Sequence, residues 1–482
     1  MSELSHIATR VVGAPAAAGR RNVIAPYDGK TLATIDTAGA DVNECALQAA
    51  TDWFGQRENW LSAAEKIAVF ERAIELMRAR ADELAVSAAA EGGKPLVDSK
   101  VEVARAIDGL RLCIETIRTD QGARVPIGGT AAGDGRLAVT QREPIGVVVA
   151  VSAFNHPLNL IVHQVAAAIA AGCPVIVKPA DDTPLSCFAF VDIMHEAGIP
   201  PASCQALLSE SLDDAERLVT DPRVAFFSFI GSARVGWMLR SKLSPGTRCA
   251  LEHGGAAPLF ITDDADIDSA LTATLKGGFY HAGQVCVSVQ RVYAARAIAR
   301  DFAERLAKHA AALRIGDPTD LATEVGPLIR PAETRRVSEW VEAAVAAGAE
   351  RLTGGAALSD SLYPCTVLWE PPVDTQVSTA EIFGPVVCVY AYDDIDTAIA
   401  QANALPFAFQ GAVFSASLDT ALRVYDRLDA SAIMVNDHTA FRVDGMPFAG
   451  LKQSGLGVGG IPHTIADMSI EKMLVIKSAE LP

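Results

Sequence analysis

The chain has 482 residues, of which half are apolar and 21% are charged, and 41 basic against 58 acidic side chains give a formal net charge of −17. A chain of this length and apolar content is globular, with roughly two or three domains, and its core is large enough to be stable without disulfides or structural metals. The acidic balance argues against nucleic acid and anionic membranes as partners, because both select basic surfaces. Small anions are not excluded, since a few local arginines can hold them.

The cysteines and the N-terminal segment indicate a reducing compartment. Nine cysteines are scattered singly, and no CxxC pair occurs. This pattern predicts neither a disulfide framework nor a zinc site, and we expect no metal. The N-terminal segment lacks the apolar stretch of a signal peptide, and the best apolar run, residues 161–171, is too short to span a membrane. We therefore expect a cytoplasmic protein.

Apolar periodicity divides the chain into helical and alternating regions. Residues 41–119 repeat apolar side chains at helical spacing, and a Gly-rich turn between two extended segments predicts a hairpin at 123–142. From residue 144 to 252, short β-branched runs alternate with helical segments, and a second region of this kind extends from 263 to 448. The tail alternates like one more strand, which could pair with the hairpin of this chain or of a neighbour.

Uncharged strands alternating with helices are typical of a parallel sheet covered on both faces. Such sheets bind ligands beyond the carboxyl ends of their strands, so we expect the residues that follow strands to carry the function. A literal G-x-G-x-x-G occurs once, at residues 455–460. It follows a polar loop rather than a strand, and we predict a flexible loop there instead of a phosphate-binding loop.

Several short motifs stand in a characteristic order along the chain. They are AFNHP at 153–157, KPAD at 178–181, GS at 231–232, LEHGG at 251–255, GQVC at 283–286, EIFGPV at 381–386, Asn436 and PFAGLKQSG at 447–455. In this order and spacing the set resembles the NAD(P)-dependent aldehyde dehydrogenase superfamily, over residues 25 to 478. The ordered set is far more specific than GQxC alone.

The resemblance implies an α/β fold of two βα domains with parallel-rich sheets and a small β flap for oligomerisation. It divides the chain into a Rossmann-like cofactor-binding domain (1–122 and 143–252), a catalytic domain (253–448), and an oligomerisation hairpin and tail (123–142 and 463–482). A homodimer or homotetramer is the implied assembly.

Oxidation of an aldehyde to an acid requires a covalent adduct that can expel hydride, followed by hydrolysis of the acyl group. The resemblance makes Cys286 the nucleophile; the alternative is one more buried thiol. It pairs the amide of Asn155 with the Cys286 backbone N–H as donors to the oxyanion. The alternative for Asn155 is a helix N-cap before Pro157.

The resemblance also makes Glu252 the general base for hydrolysis, with a pKa that an apolar strand end would raise. The alternative is a carboxylate paired with an arginine. His253 stands where the family usually has leucine, and this puts the packing beside Glu252 in question.

The resemblance assigns a set of residues to the cofactor. Lys178 and Asp181 bind the adenosine ribose, Gly231 and Ser232 meet the pyrophosphate at a helix N-terminus, Glu381 binds the nicotinamide ribose, Phe383 packs beside the nicotinamide ring, and Phe154 adds to the cofactor pocket. A carboxylate at 181 accepts a bond from a 2′-hydroxyl and repels a 2′-phosphate. We therefore expect NAD, with NADP as the alternative.

FNHPLNL and FRVD resemble the branch that acts on lactaldehyde, glyceraldehyde phosphates and phosphonoacetaldehyde. We expect a small hydroxylated or anionic aldehyde, because arginine binds oxyanions in bidentate fashion. We expect His156, Arg442 and Phe448 to be substrate residues, with His156 and Arg442 facing the polar end of the substrate, helped by Arg105 or Arg111. The alternative for Arg442 is a salt bridge to Asp444 or Asp437.

Two other functions are compatible with part of this pattern. A CoA-acylating semialdehyde dehydrogenase passes the acyl group to CoA, but such relatives tend to lack the glutamate that Glu252 matches. A catalytically silent binding paralogue has no need to keep Cys286, Asn155 and Glu252 together.

Overall fold

The computed structural model describes residues 5–120 and 122–481. Its strands are β1 (Ser5–Ile7), β2 (Gly19–Ile24), β3 (Thr31–Ala38), β4 (Ala123–Val125), β5 (Arg136–Pro144), β6 (Val147–Val151), β7 (Val175–Lys178), β8 (Cys204–Ala206), β9 (Leu208–Ser209), β10 (Val224–Ile230), β11 (Arg248–Glu252), β12 (Ala257–Ile261), β13 (Val289–Ala295), β14 (Glu350–Thr353), β15 (Thr366–Trp369), β16 (Val386–Tyr392), β17 (Phe407–Ala408), β18 (Gln410–Phe414), β19 (Ala432–Val435), β20 (Leu451–Lys452), β21 (Gly455–Leu456) and β22 (Ser469–Lys477).

The helices are α1 (Ala40–Gly55), α2 (Ala63–Ala79), α3 (Ala81–Gly92), α4 (Leu96–Thr119), α5 (Asn159–Ile161), α6 (Ala167–Ala171), α7 (Leu185–Ala197), α8 (Leu212–Thr220), α9 (Ala233–Arg240), α10 (Ile267–Phe279), α11 (Arg296–Ala312), α12 (Pro331–Ala346), α13 (Gln376–Thr379), α14 (Ile395–Asn403), α15 (Leu418–Arg427) and α16 (Ile461–Asp467). A π-helical turn, Val162–Ala166, joins α5 to α6. None of the helices within 5–120 and 122–481 is long and apolar enough to cross a membrane.

The helical prediction for residues 41–119 is confirmed by α1 to α4. The second of them begins with a capping box: the Ser62 hydroxyl accepts from the Glu65 backbone N–H, and the Glu65 carboxylate accepts from the Ser62 N–H at 2.8 Å. This exchange satisfies backbone donors that the first turn leaves free. Apolar faces of α2, α3 and α4 then pack against α7 and the sheet behind it.

Within the described residues, the first sheet has the order β8-β7-β6-β10-β11-β21, and only β21 is antiparallel to its neighbour. Strands β7 and β8 follow β6 on one side, whereas β10 and β11 extend the sheet on the other side. The direction in which successive strands are added to the sheet therefore reverses between β6 and β10. A crevice at such a reversal, beyond the carboxyl ends of the strands, is where doubly wound sheets bind ligands.

The second sheet has the order β14-β15-β16-β13-β12-β18-β19, with β14 antiparallel and the others parallel. Its own core contains buried residues of β12, β13 and β16 packed against α10, α11 and α12. These two sheets, each with helices on its faces, confirm the expected fold of two βα units.

A third, antiparallel sheet has the order β22-β5-β4. The tail strand β22 pairs with β5 of its own chain, from Ser469 opposite Pro144 to Lys477 opposite Arg136. Met473 and Leu474 on β22 are exposed, and an oligomerisation role for this flap remains a prediction. Helix α16 lies before the flap and contributes Ile465 to the core of the first sheet.

The prediction of a flexible loop at 455–460 is wrong in part. Gly455 and Leu456 form the short edge strand β21, which pairs with the end of β11, with Gly455 opposite Glu252. A Cβ on Gly459 would lie 3.1 Å from Glu252 Oε2. The glycines therefore let this backbone pack closely beside Glu252.

Candidate active site

The site forms where the carboxyl edge of the first sheet meets the amino edge of the second. Strand β11 ends at Glu252, and β12 begins at Ala257, so a short segment joins the two edges. Gly255, Cys286 and Glu381 precede β12, β13 and β16, which are neighbours in the second sheet. The expectation that site residues follow strands therefore holds for the first sheet only. In the second sheet they precede the strands.

Cys286 lies on a tightly turned loop between α10 and β13. His281 and Ala282 have left-handed backbones, with φ of 48° and 54°, and Gly283 has φ of +69°. A Cβ on Gly283 would lie 2.1 Å from the Gly384 carbonyl oxygen, so the loop requires glycine here. Cys286 is half-buried, whereas Cys113, Cys173, Cys187, Cys204, Cys365 and Cys388 are buried.

The electrostatics around Cys286 couple it to two other predicted site residues. Burial raises the pKa of the Cys286 thiol above its usual range, and the nearby Glu252 carboxylate raises it further. The Arg442 guanidinium opposes both effects. Glu252 and Arg442 thus act on the same sulfur from opposite directions.

Asn155 connects the two sheets at this point. Its Nδ2 donates a hydrogen bond of 2.9 Å to the Gln284 carbonyl, two residues before Cys286. Helix α5 begins only at Asn159 and receives no side-chain cap, so the N-cap alternative for Asn155 is wrong. An amide nitrogen carries two hydrogens, so Asn155 keeps one for a further acceptor. Gln284 is itself held, since its Oε1 accepts from the Ile329 N–H at 2.9 Å.

A buried ion pair that the sequence did not reveal supports Asn155 from behind. The side chains of Lys94 and Glu102 are 0% and 1% exposed, and they are directly hydrogen-bonded. Lys94 also donates to the Asn155 carbonyl at 3.3 Å, and Glu102 accepts from the N–H groups of Leu158 and Asn159, each at 2.9 Å. Lys94 lies between α3 and α4, Glu102 lies on α4, and only the fold brings both of them to the Asn155 loop.

Glu252 faces an arginine, as its alternative interpretation required. Arg442 Nη1 lies 3.6 Å from Glu252 Oε1, and the two side chains are 9% and 15% exposed. Burial raises the pKa of Glu252, and the guanidinium opposes this shift. The guanidinium carbon of Arg442 lies 3.6 Å from the centroid of the Phe448 ring. The predicted salt bridge of Arg442 with Asp444 or Asp437 is therefore wrong.

Asp444 has other partners. Arg105 donates to it from Nε at 3.1 Å and from Nη2 at 2.6 Å, His163 Nε2 lies 2.7 Å away, and Asn159 Nδ2 donates at 3.1 Å. Burial opposes ionisation, but the bonds from His163 and Arg105 hold the pKa of Asp444 far below its usual range. Arg105 is thus engaged with Asp444. Arg111 lies on the exposed face of α4 beside Asp108, so the substrate role considered for it is wrong.

His156 belongs to a buried polar cluster whose other members the sequence motifs did not reveal. Its Nε2 lies 3.2 Å from the Tyr280 hydroxyl, and its ring packs against that of His281. Burial and the charges of Lys94 and Arg105 keep the pKa of His156 well below its usual range, so the ring is neutral at pH 7. Neither ring nitrogen of His281 has a hydrogen-bond partner among the described residues. This cluster offers neutral hydrogen-bonding groups beside the cation Arg442.

Glu381 has the environment expected of a ribose ligand. Burial raises its pKa to about 8, and its Oε1 has no partner among the described residues. A Cβ on Gly254 would lie 1.7 Å from that oxygen, so the glycine makes room for the carboxyl group. The rings of Phe154 and Phe383 meet edge to face with centroids 5.8 Å apart. A buried acceptor beside two aromatic rings fits the hydroxyls and the flat ring of a nicotinamide riboside.

Gly231 and Ser232 open helix α9 directly after β10. Ser232 is the N-cap residue, but its side chain makes no bond to the helix backbone, so the N-terminus is open to an anion. The contacts of His253 show why this residue is tolerated beside Glu252. Its Nδ1 donates to the Gly231 carbonyl at 2.8 Å, and its ring packs against Phe229 and Trp237. The side chain of His253 therefore supports the turn at Gly231.

Lys178 and Asp181 are hydrogen-bonded to each other at 2.7 Å at the end of β7. Arg21 of β2, which sequence reasoning missed, donates to the second Asp181 oxygen at 2.5 Å. Burial opposes ionisation of Asp181, but the two cations outweigh it and lower its pKa. An ionised carboxylate that can accept a bond from a ribose hydroxyl fits the predicted role.

The model of the aldehyde dehydrogenase family matches residues 14–474. The chain belongs to this family. This aldehyde dehydrogenase is 34% identical to the 3-sulfolactaldehyde dehydrogenase of Priestia aryabhattai over 459 residues, which are 95% of each chain. It is an oxidoreductase that acts on aldehydes and uses NAD or NADP, as the resemblance implied.

Solved structures are similar to this aldehyde dehydrogenase along its whole length. Aldehyde dehydrogenase 21 of Physcomitrella patens, in complex with the reaction product succinate, has a TM-score of 0.94 at 31% identity and covers 99% of both chains. The glyceraldehyde-3-phosphate dehydrogenase GapN of Methanocaldococcus jannaschii, complexed with NADP, has a TM-score of 0.90 at 30% identity, covering 95% of this chain and 99% of the other. The predicted fold is thereby confirmed.

Proposed function

We propose that this aldehyde dehydrogenase oxidises a small hydroxylated or anionic aldehyde to its carboxylic acid, through a thioester on Cys286. In the first step the Cys286 thiol releases its proton to solvent, and the thiolate attacks the aldehyde carbon and forms a thiohemiacetal. The negative charge that develops on the aldehyde oxygen is taken up by the free N–H of Asn155 and the backbone N–H of Cys286. The hydrogen bond from Asn155 to Gln284 supports this role, since it fixes the amide beside the nucleophile loop, the segment 280–288 that carries Cys286.

A nicotinamide cofactor, when bound, would supply the acceptor for the hydride that leaves the adduct carbon. Collapse of the adduct restores the carbonyl and leaves the acyl group as a thioester on Cys286. Glu381 would bind the nicotinamide ribose, and Phe383 would pack beside the nicotinamide ring. The unpartnered oxygen of Glu381 supports this assignment.

Hydrolysis of the thioester then frees Cys286 for the next turnover. Glu252 takes a proton from a water molecule, the water oxygen attacks the thioester carbon, and the sulfur of Cys286 leaves as thiolate while the acid forms. Burial supports the role of Glu252, because a carboxyl group with a raised pKa is a stronger base than an exposed one.

One observation carries the proposed substrate class: the buried guanidinium of Arg442 has a donor, Nε, without a partner among the described residues. Buried donors are normally bonded, so this group is suited to an acceptor on the substrate. His156 and Tyr280 add neutral polar groups, and Phe448 forms the apolar floor beneath Arg442. Three of the similar proteins support an anionic end: a 3-sulfolactaldehyde dehydrogenase, a glyceraldehyde-3-phosphate dehydrogenase, and an aldehyde dehydrogenase in complex with the reaction product succinate.

We further infer a preference for NAD over NADP. The ionised Asp181 carboxylate accepts a bond from a 2′-hydroxyl and repels a 2′-phosphate. Lys178 would then donate a hydrogen bond to the other hydroxyl of the adenosine ribose.

A panel of aldehydes with both nucleotides tests these proposals, with absorbance of the reduced nicotinamide as the readout. We expect kcat/KM to be higher for sulfonated, phosphorylated or hydroxylated three-carbon aldehydes than for propanal. A preference for long alkyl or aryl aldehydes would contradict the proposed substrate class. Free acid should form without added CoA, whereas a requirement for CoA would indicate an acylating enzyme.

Two variants test the mechanism within the same assay. Cys286→Ser should abolish formation of reduced nicotinamide, and Cys249→Ser, at another half-buried cysteine, serves as the control. Glu252→Gln should permit one turnover of hydride transfer and then stop at the thioester, which intact-protein mass spectrometry detects as an acyl adduct on Cys286.

A further inference from the structure

Arg442 is a buried cation with few bonds. Its side chain is more than nine-tenths buried at 9% exposure, Nε has no partner among the described residues, and the flat face of the guanidinium lies on Phe448. Among the described residues, the one carboxylate within 4 Å of its nitrogens is that of Glu252, at 3.6 Å, which is longer than a good hydrogen bond. A guanidinium that lies next to one carboxylate but is not tightly bonded to it can turn to another acceptor.

The backbone that carries Arg442 is nevertheless firmly held. Two residues further on, Asp444 is bound by Arg105 of α4, by His163 of the π-helical turn and by Asn159 of α5. Any exchange of partners at Arg442 is therefore a rotation of its own side chain and needs no movement of the loop.

The charged and titratable groups around Glu252 come from four elements. Arg442 lies on the loop before Phe448, Cys286 on the nucleophile loop, and His163 and Asp467 line the cavity behind the glutamate. His163 is engaged with Asp444, and Asp467 carries the same charge type as Glu252. Among the described residues, Arg442 is thus the cation that stabilises the Glu252 carboxylate.

We propose that Arg442 exchanges partners during the catalytic cycle, pairing with Glu252 in the free enzyme and with the anionic end of the substrate once the aldehyde is bound. This inference rests on the proposed function, because it uses the same thioester hydrolysis and the same substrate class. The exchange removes the counter-ion of Glu252 at the stage at which the carboxylate must accept a proton from water. An anionic substrate thereby activates the base that hydrolyses it, whereas a neutral aldehyde leaves Glu252 paired and less basic.

The matched substrates are lactaldehyde and 3-sulfolactaldehyde, which differ by a sulfonate on the third carbon. The measurement is the pH dependence of thioester hydrolysis, obtained by rapid quench after a single turnover has acylated Cys286. With the wild-type enzyme we expect the acid limb for the sulfonated acyl group to lie about one pH unit above that for the neutral one, since loss of a cation within 4 Å shifts a carboxyl pKa by about this much.

Variants at Arg442 separate the exchange from a merely structural role. In Arg442→Gln the two acid limbs should coincide, near the wild-type position for the sulfonated group, and kcat/KM for 3-sulfolactaldehyde should fall at least about tenfold. Arg442→Lys keeps the charge and should retain part of the difference between the limbs. Arg111→Gln, on the exposed face of α4, should leave both profiles unchanged.

A second measurement uses the wild-type enzyme alone, so it does not depend on the folding of a variant. Methanesulfonate added during turnover of lactaldehyde should move the acid limb toward the position found for 3-sulfolactaldehyde. Equal limbs for the two substrates, or a difference that persists in Arg442→Gln, would overturn the exchange while leaving the proposed function intact. Failure of the enzyme to oxidise either aldehyde with NAD or NADP would overturn both.

Discussion

The amide of Asn155 and the carbonyl of Gln284 are joined by a hydrogen bond of 2.9 Å that links the carboxyl edge of one sheet to the amino edge of the other. One partner follows β6, and the other lies two residues before Cys286. The bond therefore fixes the distance between the Asn155 amide at one sheet and the proposed nucleophile, Cys286, at the other. Positioning of this kind is the main contribution a protein makes to stabilising an oxyanion.

Replacement of Asn155 by alanine tests this link. We expect Asn155→Ala to lower kcat by about 10²–10³-fold, because one donor to the developing oxyanion is lost. Initial rates under saturating cofactor and aldehyde measure the effect. Asn403→Ala, which removes a surface amide bonded to the Arg427 carbonyl, is the matched control. A loss below tenfold in Asn155→Ala would show that the amide has only a structural role.

The turn at Gly283 predicts a strong dependence on glycine. Gly283→Ala combines a left-handed backbone with a Cβ 2.1 Å from the Gly384 carbonyl oxygen, so the nucleophile loop must shift. We expect a loss of activity and a lower Tm. Gly348 also has a positive φ, of +119°, but a Cβ there meets nothing within 4 Å, so Gly348→Ala should cost only about 1 kcal/mol. Equal effects of the two substitutions would contradict the importance of the Gly384 contact.

The buried pair of Lys94 and Glu102 predicts a large loss of stability when one partner is removed. Lys94→Met leaves the Glu102 carboxylate buried without its counter-ion, and we expect the free energy of unfolding to fall by about 3–5 kcal/mol. Urea denaturation followed by fluorescence measures this change. Lys100→Met removes an exposed lysine paired with Asp82 at 2.9 Å, and its effect should stay below about 1 kcal/mol.

His163 predicts that the protein loses stability in mildly acidic solution. Burial lowers its pKa from 6.5 to about 4, so the unfolded chain binds a proton at a pH at which the folded protein does not. The free energy of unfolding therefore falls as the pH is lowered from 6.5 to 4, by roughly 3 kcal/mol in all from His163. Above pH 6.5 this loss is absent. The free energy of unfolding between pH 7 and 4 tests this.

Two histidine variants show whether His163 causes that dependence. His163→Asn should flatten the profile in this window, while His309→Gln, on the exposed side of α11, should leave it unchanged. An unchanged slope in His163→Asn would assign the acid sensitivity to other groups.

Much of the fold could be predicted from local sequence patterns. The helical spacing of residues 41–119 corresponds to α1–α4, and the β-branched runs after Pro144 correspond to the strands of the first sheet. The ordered motifs led to the family, and the family model matches residues 14–474. Roles of individual residues within these motifs remain predictions.

Contacts between distant segments could not be predicted in the same way. Arg442 was expected to meet the substrate or the nearby aspartates, yet it lies against Glu252, and Asp444 binds Arg105 instead. The glycines at 455–460 were expected to form a flexible loop, yet they pack beside the same glutamate. In each case the partner is far away in sequence, and no local pattern encodes it.

The sequence by itself determined which elements form and which chemical groups are available, because helix and strand periodicity and the ordered motifs are local properties of the chain. The tertiary structure alone decided that the carboxyl edge of one sheet faces the amino edge of the other. It also decided that Arg442 pairs with Glu252, that Lys94 and Glu102 support Asn155, and that His253 turns toward Gly231. Burial and charge depend on neighbours in space, and packing of the two sheets against each other selects those neighbours.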